Sequence, residues 1–318
     1  MTSTTLKSLA LCCLLPLSAH AQEAIDESRV VSSNEHVSIE ILSGDVTIRG
    51  AQDNVFRVRG TLAEDAEGFT LNSDNGFTRF EVNMPRRGLF NWSSNGNDES
   101  NLEIELPIGS TVEFEGVSID INIHNINGGS DISTVNGDID ASDLSTVVSL
   151  STVNGSIRSN GASGRVEMAT VSGEISDRES EGRIEYTTVS GDIVGHSRAQ
   201  EVNVETVSGE AELDLVGTQV IEMNTVSGDI EIRLAQSLSP RVEGSSVSGG
   251  LYLAVEPQVS ARISIDAHSG GDIDNNLSNE RPTKDKYGPS RHLKFSKGDG
   301  LGAINLTTVS GEIELDEL

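Results

Sequence analysis

Carboxylates recur at a fixed interval through the second half of the chain. Asp138, Glu174, Asp192, Glu210 and Asp229 each follow a glycine, with intervals of 18, 18 and 19 residues from Glu174 onward, and Asp272 and Glu312 continue the series. If each interval is one turn of a coil, successive carboxylates lie about 5 Å apart, close enough to repel unless water or a cation screens them. Hard oxygen ligands suit Ca²⁺, so a weak calcium ladder is the one cofactor site that this column suggests. Ser156 and Gly250 interrupt the column, as a merely solvated edge would tolerate. A second group, Arg86, Arg87, Phe90 and Trp92, sits in a Gly/Ser/Asn-rich stretch over 85–101 and reads as a recognition loop or as aromatic packing over one end of the coil. His36, His124, His196, His268 and His292 are scattered, without metal-ligand spacing. The serines form no nucleophile elbow and the glycines no phosphate loop. No catalytic residue is predicted, and the chain does not read as an enzyme.

The elements that carry these residues are set by internal repetition. Thr-Val-Asn-Gly starts at Thr134 and Thr152, Thr-Val-Ser-Gly at Thr170, Thr188, Thr206, Thr225 and Thr308, and Ser-Val-Ser-Gly at Ser246. The first five starts are 18 residues apart, the next intervals are 19 and 21, and a weaker copy at His268 follows after 22. Four apolar columns run through the repeat. They are Val135 to Val226 inside the motif, Ile139 to Ile230 just after it, Val148 to Val202, and Leu150 to Val204. The last two are two positions apart, which is strand periodicity. Between Val and Ile, Ser/Asn-Gly marks a turn. The remainder, such as Ser176 to Gly182, is polar and reads as a solvent-facing connection. No single copy can bury four apolar side chains alone, but parallel stacking turns each column into a ladder.

The fold class predicted is all-β, an elongated parallel β-solenoid of roughly ten rungs of 18–22 residues, about 50 Å long. A right-handed coil follows the general rule for parallel crossovers. Hexapeptide and calcium-binding nonapeptide coils fit less well, because Val and Ile here are four apart and Gly-Gly-x-Gly-x-Asp occurs only in fragments.

Residues 1–21 read as a signal peptide: Lys7, an apolar run from Leu9 to Leu17, then Ala19-His20-Ala21. Both cysteines fall within it, so the exported chain uses neither disulfides nor thiolates. Formal charge is −28, and loss of Lys7 takes it to −29. Such a balance disfavours nucleic acid and anionic lipid as partners. No later stretch is long and apolar enough for a transmembrane segment. The expected location is the periplasm, the cell surface or the medium.

Along the chain, 22–110 reads as an N-terminal β region and cap, and 111–318 as solenoid repeats with an inserted loop at about 275–300. The rung Thr307 to Leu315 is followed by only three residues and is expected to leave an edge, blunted by Glu312, Glu314, Asp316 and Glu317. The leader, Leu42-Ser43-Gly44-Asp45-Val46, Leu106-Pro107 and the iterated Thr-Val-Ser-Gly-Asp/Glu-Ile together resemble the bacterial DUF4097 family. That resemblance implies an adhesin-like envelope β-solenoid with no catalytic residues to carry over. The expected function is therefore a non-catalytic envelope interaction or scaffold protein, whose partner is an envelope protein or glycan. A polysaccharide-active β-helix enzyme and a calcium-stiffened rod are the alternatives.

Overall fold

The computed structural model describes residues 23–85 and 99–318; the predicted leader and all four residues of the predicted recognition loop, Arg86, Arg87, Phe90 and Trp92, lie outside the described residues. Among those described, every element is a β-strand or bridge. Each repeat supplies two strands, such as Ser163–Ser172 and Ile175–Arg178, and each strand pairs in parallel with its counterpart one repeat away. The result is a parallel β-solenoid.

Its depth can be read along one ladder of paired residues: Leu102, Val46, Ile121, Ile139, Ile157, Ile175, Ile193, Ala211, Ile230, Leu251, Ile313 and Ile273. All are buried. That makes twelve levels among the described residues, about 53 Å at the strand spacing. Fully burying one such aliphatic side chain contributes about 1.5–3 kcal/mol, so apolar ladders of this kind are the main source of stability in a chain with few aromatics.

Spatial order and chain order part company at both ends. Residues 36–51 lie between a level made of 77–82 and 100–107 and the level of 111–126. At the other end, 302–317 is threaded between 241–255 and 261–275. The open edge expected at Thr307 to Leu315 is therefore overturned: Thr308 pairs with Ser246 on one side and Ala267 on the other, and Ile313 with Leu251 and Ile273. A full-strength rung has two apolar-patterned neighbours to satisfy, and the threaded position supplies both. Beyond it, Arg291–Lys297 lies antiparallel on Ala261–Ala267, and at the opposite end Val55–Thr61 and Ala24–Val30 add antiparallel strands to Ser100–Pro107. Antiparallel strands are a way to finish a parallel stack without offering its own register to another copy.

The repeat motif itself is arranged differently from the expectation. Val135, Val153, Val171, Val189, Val207 and Val226 point outward, about two-fifths exposed (39–45%), whereas the threonine before each is buried. Strand parity explains this. Ile184, Tyr186 and Thr188 share one face at intervals of two, and Val189 falls on the other. Hydropathy pointed to the valine; alternation decides for the threonine. At most levels the inward hydroxyl bonds backbone that the corner brings inside. Thr188 Oγ1 accepts from the Gly191 N–H (2.9 Å), Thr308 Oγ1 from Gly311 (2.8 Å), and Thr225 Oγ1 donates to the Gly228 carbonyl (2.8 Å).

Candidate functional site

The carboxylate column lies beside this corner. Asp120 and Asp138 sit in adjacent levels, and the Asp138 N–H donates to Asp120 Oδ1 (2.8 Å). The same bond recurs from Ser156 N to Asp138 Oδ1 (2.8 Å), Glu210 N to Asp192 Oδ1 (3.0 Å) and Gly250 N to Asp229 Oδ1 (2.6 Å). Each such aspartate satisfies a corner amide of the next level, a charge-assisted bond stronger than a neutral one. Arg158 also reaches Asp138 (3.2 Å) and Asp140 (3.4 Å). Glu174 and Glu210 continue the column as exposed side chains. Among the described residues no group of three or more His, Cys, Asp or Glu is arranged to hold a metal ion. Asp120, Asp138, Asp192 and Asp229 are thus backbone caps, and with Glu174 and Glu210 they lay negative charge along the rod.

The feature that sequence reasoning missed is the outward partner of the buried threonines. Leu42, Val117, Val135, Val153, Val171, Val189, Val207, Val226, Val247 and Val309 form an aliphatic ridge on ten consecutive levels, each 37–48% exposed. The backbone beneath is continuous: Ser190 N donates to the Val171 carbonyl (3.0 Å), Ser208 N to Val189 (3.0 Å) and Ser227 N to Val207 (2.8 Å). On one flank, Glu40, Glu115 and Glu205 stand two residues before a ridge residue and share its face of the strand. Past the corner glycine, the position three residues on from the ridge is acidic at eight of the ten levels: Asp45, Asp120, Asp138, Glu174, Asp192, Glu210, Asp229 and Glu312. Further along the same face, burial and then the charges of Glu167, Glu205 and Glu222 raise the Glu185 carboxyl above its usual range. The signal was present in the sequence as Tyr186-x-Thr188, had period two been followed into the motif.

The segment 176–182 is only in part the solvent-facing connection expected: Arg178, Glu179 and Glu181 are exposed, but two of its residues turn inward. Asp177 and Ser180 are buried, because Asp177 falls two residues after Ile175 on the inward face. Asp177 accepts from Ser180 Oγ (2.6 Å) and from the buried Tyr186 hydroxyl (2.7 Å). Burial holds the Asp177 carboxyl above its ordinary range, and burial together with the Asp177 charge holds the Tyr186 hydroxyl well above its own. The phenol therefore stays a donor. A carboxyl raised in this way contributes stability in full below its unfolded pKa, about 3.9, and loses it as pH rises through the raised value. Tyr186→Phe removes one donor from a buried carboxylate, so it is expected to cost about 1–3 kcal/mol at neutral pH and less in acid. Denaturant unfolding of both proteins at neutral and acid pH measures this; a pH-independent difference would show that the phenol does not serve the carboxylate.

A family model described as Toastrack DUF4097 matches residues 34–316. The chain belongs to the DUF4097 Toastrack family. No curated protein matches this Toastrack chain. Among solved structures, it is similar to a candidate cell adhesion protein from Clostridium sporogenes, at 12% identity over 93% of this chain and 100% of the other, with a TM-score of 0.24. A candidate adhesin from Parabacteroides distasonis is 13% identical over 74% of this chain and 98% of the other, with a TM-score of 0.49. A candidate lipid-binding protein from the same species is 15% identical over 72% and 96%, with a TM-score of 0.39. These likenesses assign no role to any residue of the Toastrack chain.

Proposed function

We propose that the protein is an exported, non-catalytic interaction or scaffold component of the bacterial envelope, and that it engages its partner along the flank of the rod. The observation that carries this reading is the ten-level aliphatic ridge, a repeated surface with its own chemistry rather than a cleft. Contiguous exposed apolar surface rimmed by polar residues is the usual mark of an interaction site. The leader-like residues 1–21 support export.

A polysaccharide-active reading draws less support. The groove over the outer face of Ile157–Asn160 and Ile175–Arg178 is lined by Asp140, Arg158, Asn160 and Arg178, and its carboxylate is already paired with Arg158 at 3.4 Å. The neighbouring groove carries Glu212, Asp214 and Glu231, where Glu212 and Glu231 are ladder partners in adjacent levels and Asp214 lies 3.6 Å from Arg233. Glycoside hydrolysis commonly needs two carboxyl groups flanking the scissile bond. The calcium-stiffened rod is weighed by the aspartates bonded to corner amides.

Co-sedimentation of the purified chain with envelope fractions, with Ca²⁺ and with chelator, tests the proposal. Pelleting that chelator leaves unchanged is the expected result. A chain that stays in the supernatant under every condition would remove the envelope reading, and pelleting lost with chelator would move the site to the carboxylates.

A further inference from the structure

We infer that the aliphatic ridge is a docking seam for a cationic amphipathic α-helix laid along the rod; this rests on the proposed interaction role and names its partner chemistry. The ridge is not accounted for by strand preference alone. Threonine is β-branched, suits the same outward position and favours water, yet each of the ten ridge levels carries Val or Leu. The positions beside it vary freely by comparison: Ser151, Ala169, Thr187, Glu205 and Asn224 occupy one neighbouring column.

Spacing selects a helix over a strand. The ridge repeats at about 4.8 Å. Apolar side chains at alternating i+3 and i+4 positions of an α-helix advance about 5.3 Å along its axis, and same-face side chains of a strand about 6.7 Å. The helical mismatch is about 0.5 Å per level, so a helix keeps step with the ridge over about five levels, whereas a strand loses step after one or two. About five levels correspond to a helix of roughly 16 residues.

Charge selects the sign. Exposed Glu205, two residues before the central ridge, and exposed Asp192, Glu210 and Asp229, just past the corner glycine that follows it, lay negative charge along this part of the rod. Two ridges placed face to face would set these carboxylates against one another, and the formal charge of −28 adds repulsion at longer range, which disfavours a second copy. A helix with an apolar stripe flanked by lysine or arginine meets both features at once.

The probe is a 16-residue Leu/Lys peptide with leucine at i, i+3 and i+4 spacing, read by fluorescence anisotropy against the purified chain. Its controls are a scrambled peptide of equal composition and the variant Val171→Thr/Val189→Thr/Val207→Thr. The substituted side chains are exposed and stay β-branched; should the melt of this variant change, Val153→Thr/Val226→Thr carries the same test. The expected result is binding weakened about tenfold or more by the threonines for the amphipathic peptide and unchanged for the scrambled one. Equal binding of both peptides, or no effect of the threonines, overturns the inference, as does self-association of the wild-type chain that the threonines abolish. Envelope pelleting of both proteins separates the two readings. If pelleting persists while the threonines leave peptide binding unchanged, the ridge is not the site and the envelope role stands. If neither protein pellets but peptide binding depends on the ridge, the seam stands and the envelope role falls.

Discussion

Gly191→Ala is expected to destabilise the middle of the rod by about 3 kcal/mol or more, although it adds one methyl group. A Cβ built at Gly191 would lie 1.7 Å from the Gly173 carbonyl oxygen, far inside any real contact, and the obstructing atom is backbone. The same geometry holds at Gly173 against Gly155, at Gly209 against Gly191 and at Gly249 against Gly228, with separations of 1.7–1.9 Å. These corner glycines stack backbone on backbone, and relieving one clash means opening the spacing between two levels. Gly217→Ala is the contrast. It has open space around it but a φ of +77°, so it bears only the left-handed conformational penalty, about 1 kcal/mol. Denaturant unfolding followed by hydrogen exchange across the corner amides distinguishes the two. Similar losses for both variants would mean that the corners can relax and that the close stacking is not what fixes the level spacing.

Removing residues 302–318 is expected to unfold the end of the rod and leave its middle intact. Ile304, Leu306, Ile313 and Leu315 are fully buried in that segment. At about 1.5–3 kcal/mol each, their burial contributes roughly 6–12 kcal/mol, and the strands on either side lose their partner as well. Residues 261–297 pair with the rest of the solenoid through the threaded level, as Ile263 does with Ile304 and Ile273 with Ile313. Stability in a stacked repeat protein is close to a sum of local and nearest-neighbour contributions, so loss should stop within a level or two. Limited proteolysis is the direct measurement: cleavage between 256 and 301 with a protected fragment covering 139–235 is the expected pattern. Full protection of 261–297 would show that this region reaches the level of 241–255 unaided.

Much of the fold was legible because repetition carries the same instruction many times. The Ile139, Ile157, Ile175, Ile193 and Ile230 column is buried and in register as the spacing requires. What the repeat could not convey was anything settled by competition between levels. Residues 302–317 look like one more rung, and only contact with both 241–255 and 261–275 fixes where it goes. The motif valines misled for a different reason: hydropathy and strand parity disagreed at one position, and burial of the threonine hydroxyl over the glycine corner settled it. Asp177 was hidden by the same habit, a charged residue on an inward position whose hydroxyl donors, Ser180 and Tyr186, lie three and nine residues on. The carboxylates were found from sequence, but their bonds to the amides of the next level needed coordinates.

The out-of-order threading at both ends also bears on how such a rod can change length. Each end is closed by its own weave: 36–51 held between the level of 77–82 with 100–107 and the level of 111–126 at one, 302–317 held between 241–255 and 261–275 at the other. The levels between them are paired in strict succession, each offset from the next by one motif. A tandem duplication of one 18-residue unit between Gly155 and Gly209 would therefore lengthen the molecule by about 4.8 Å and leave both closures undisturbed. Reach becomes a quantity that gene duplication can adjust in equal steps, with the ends acting as fixed terminators.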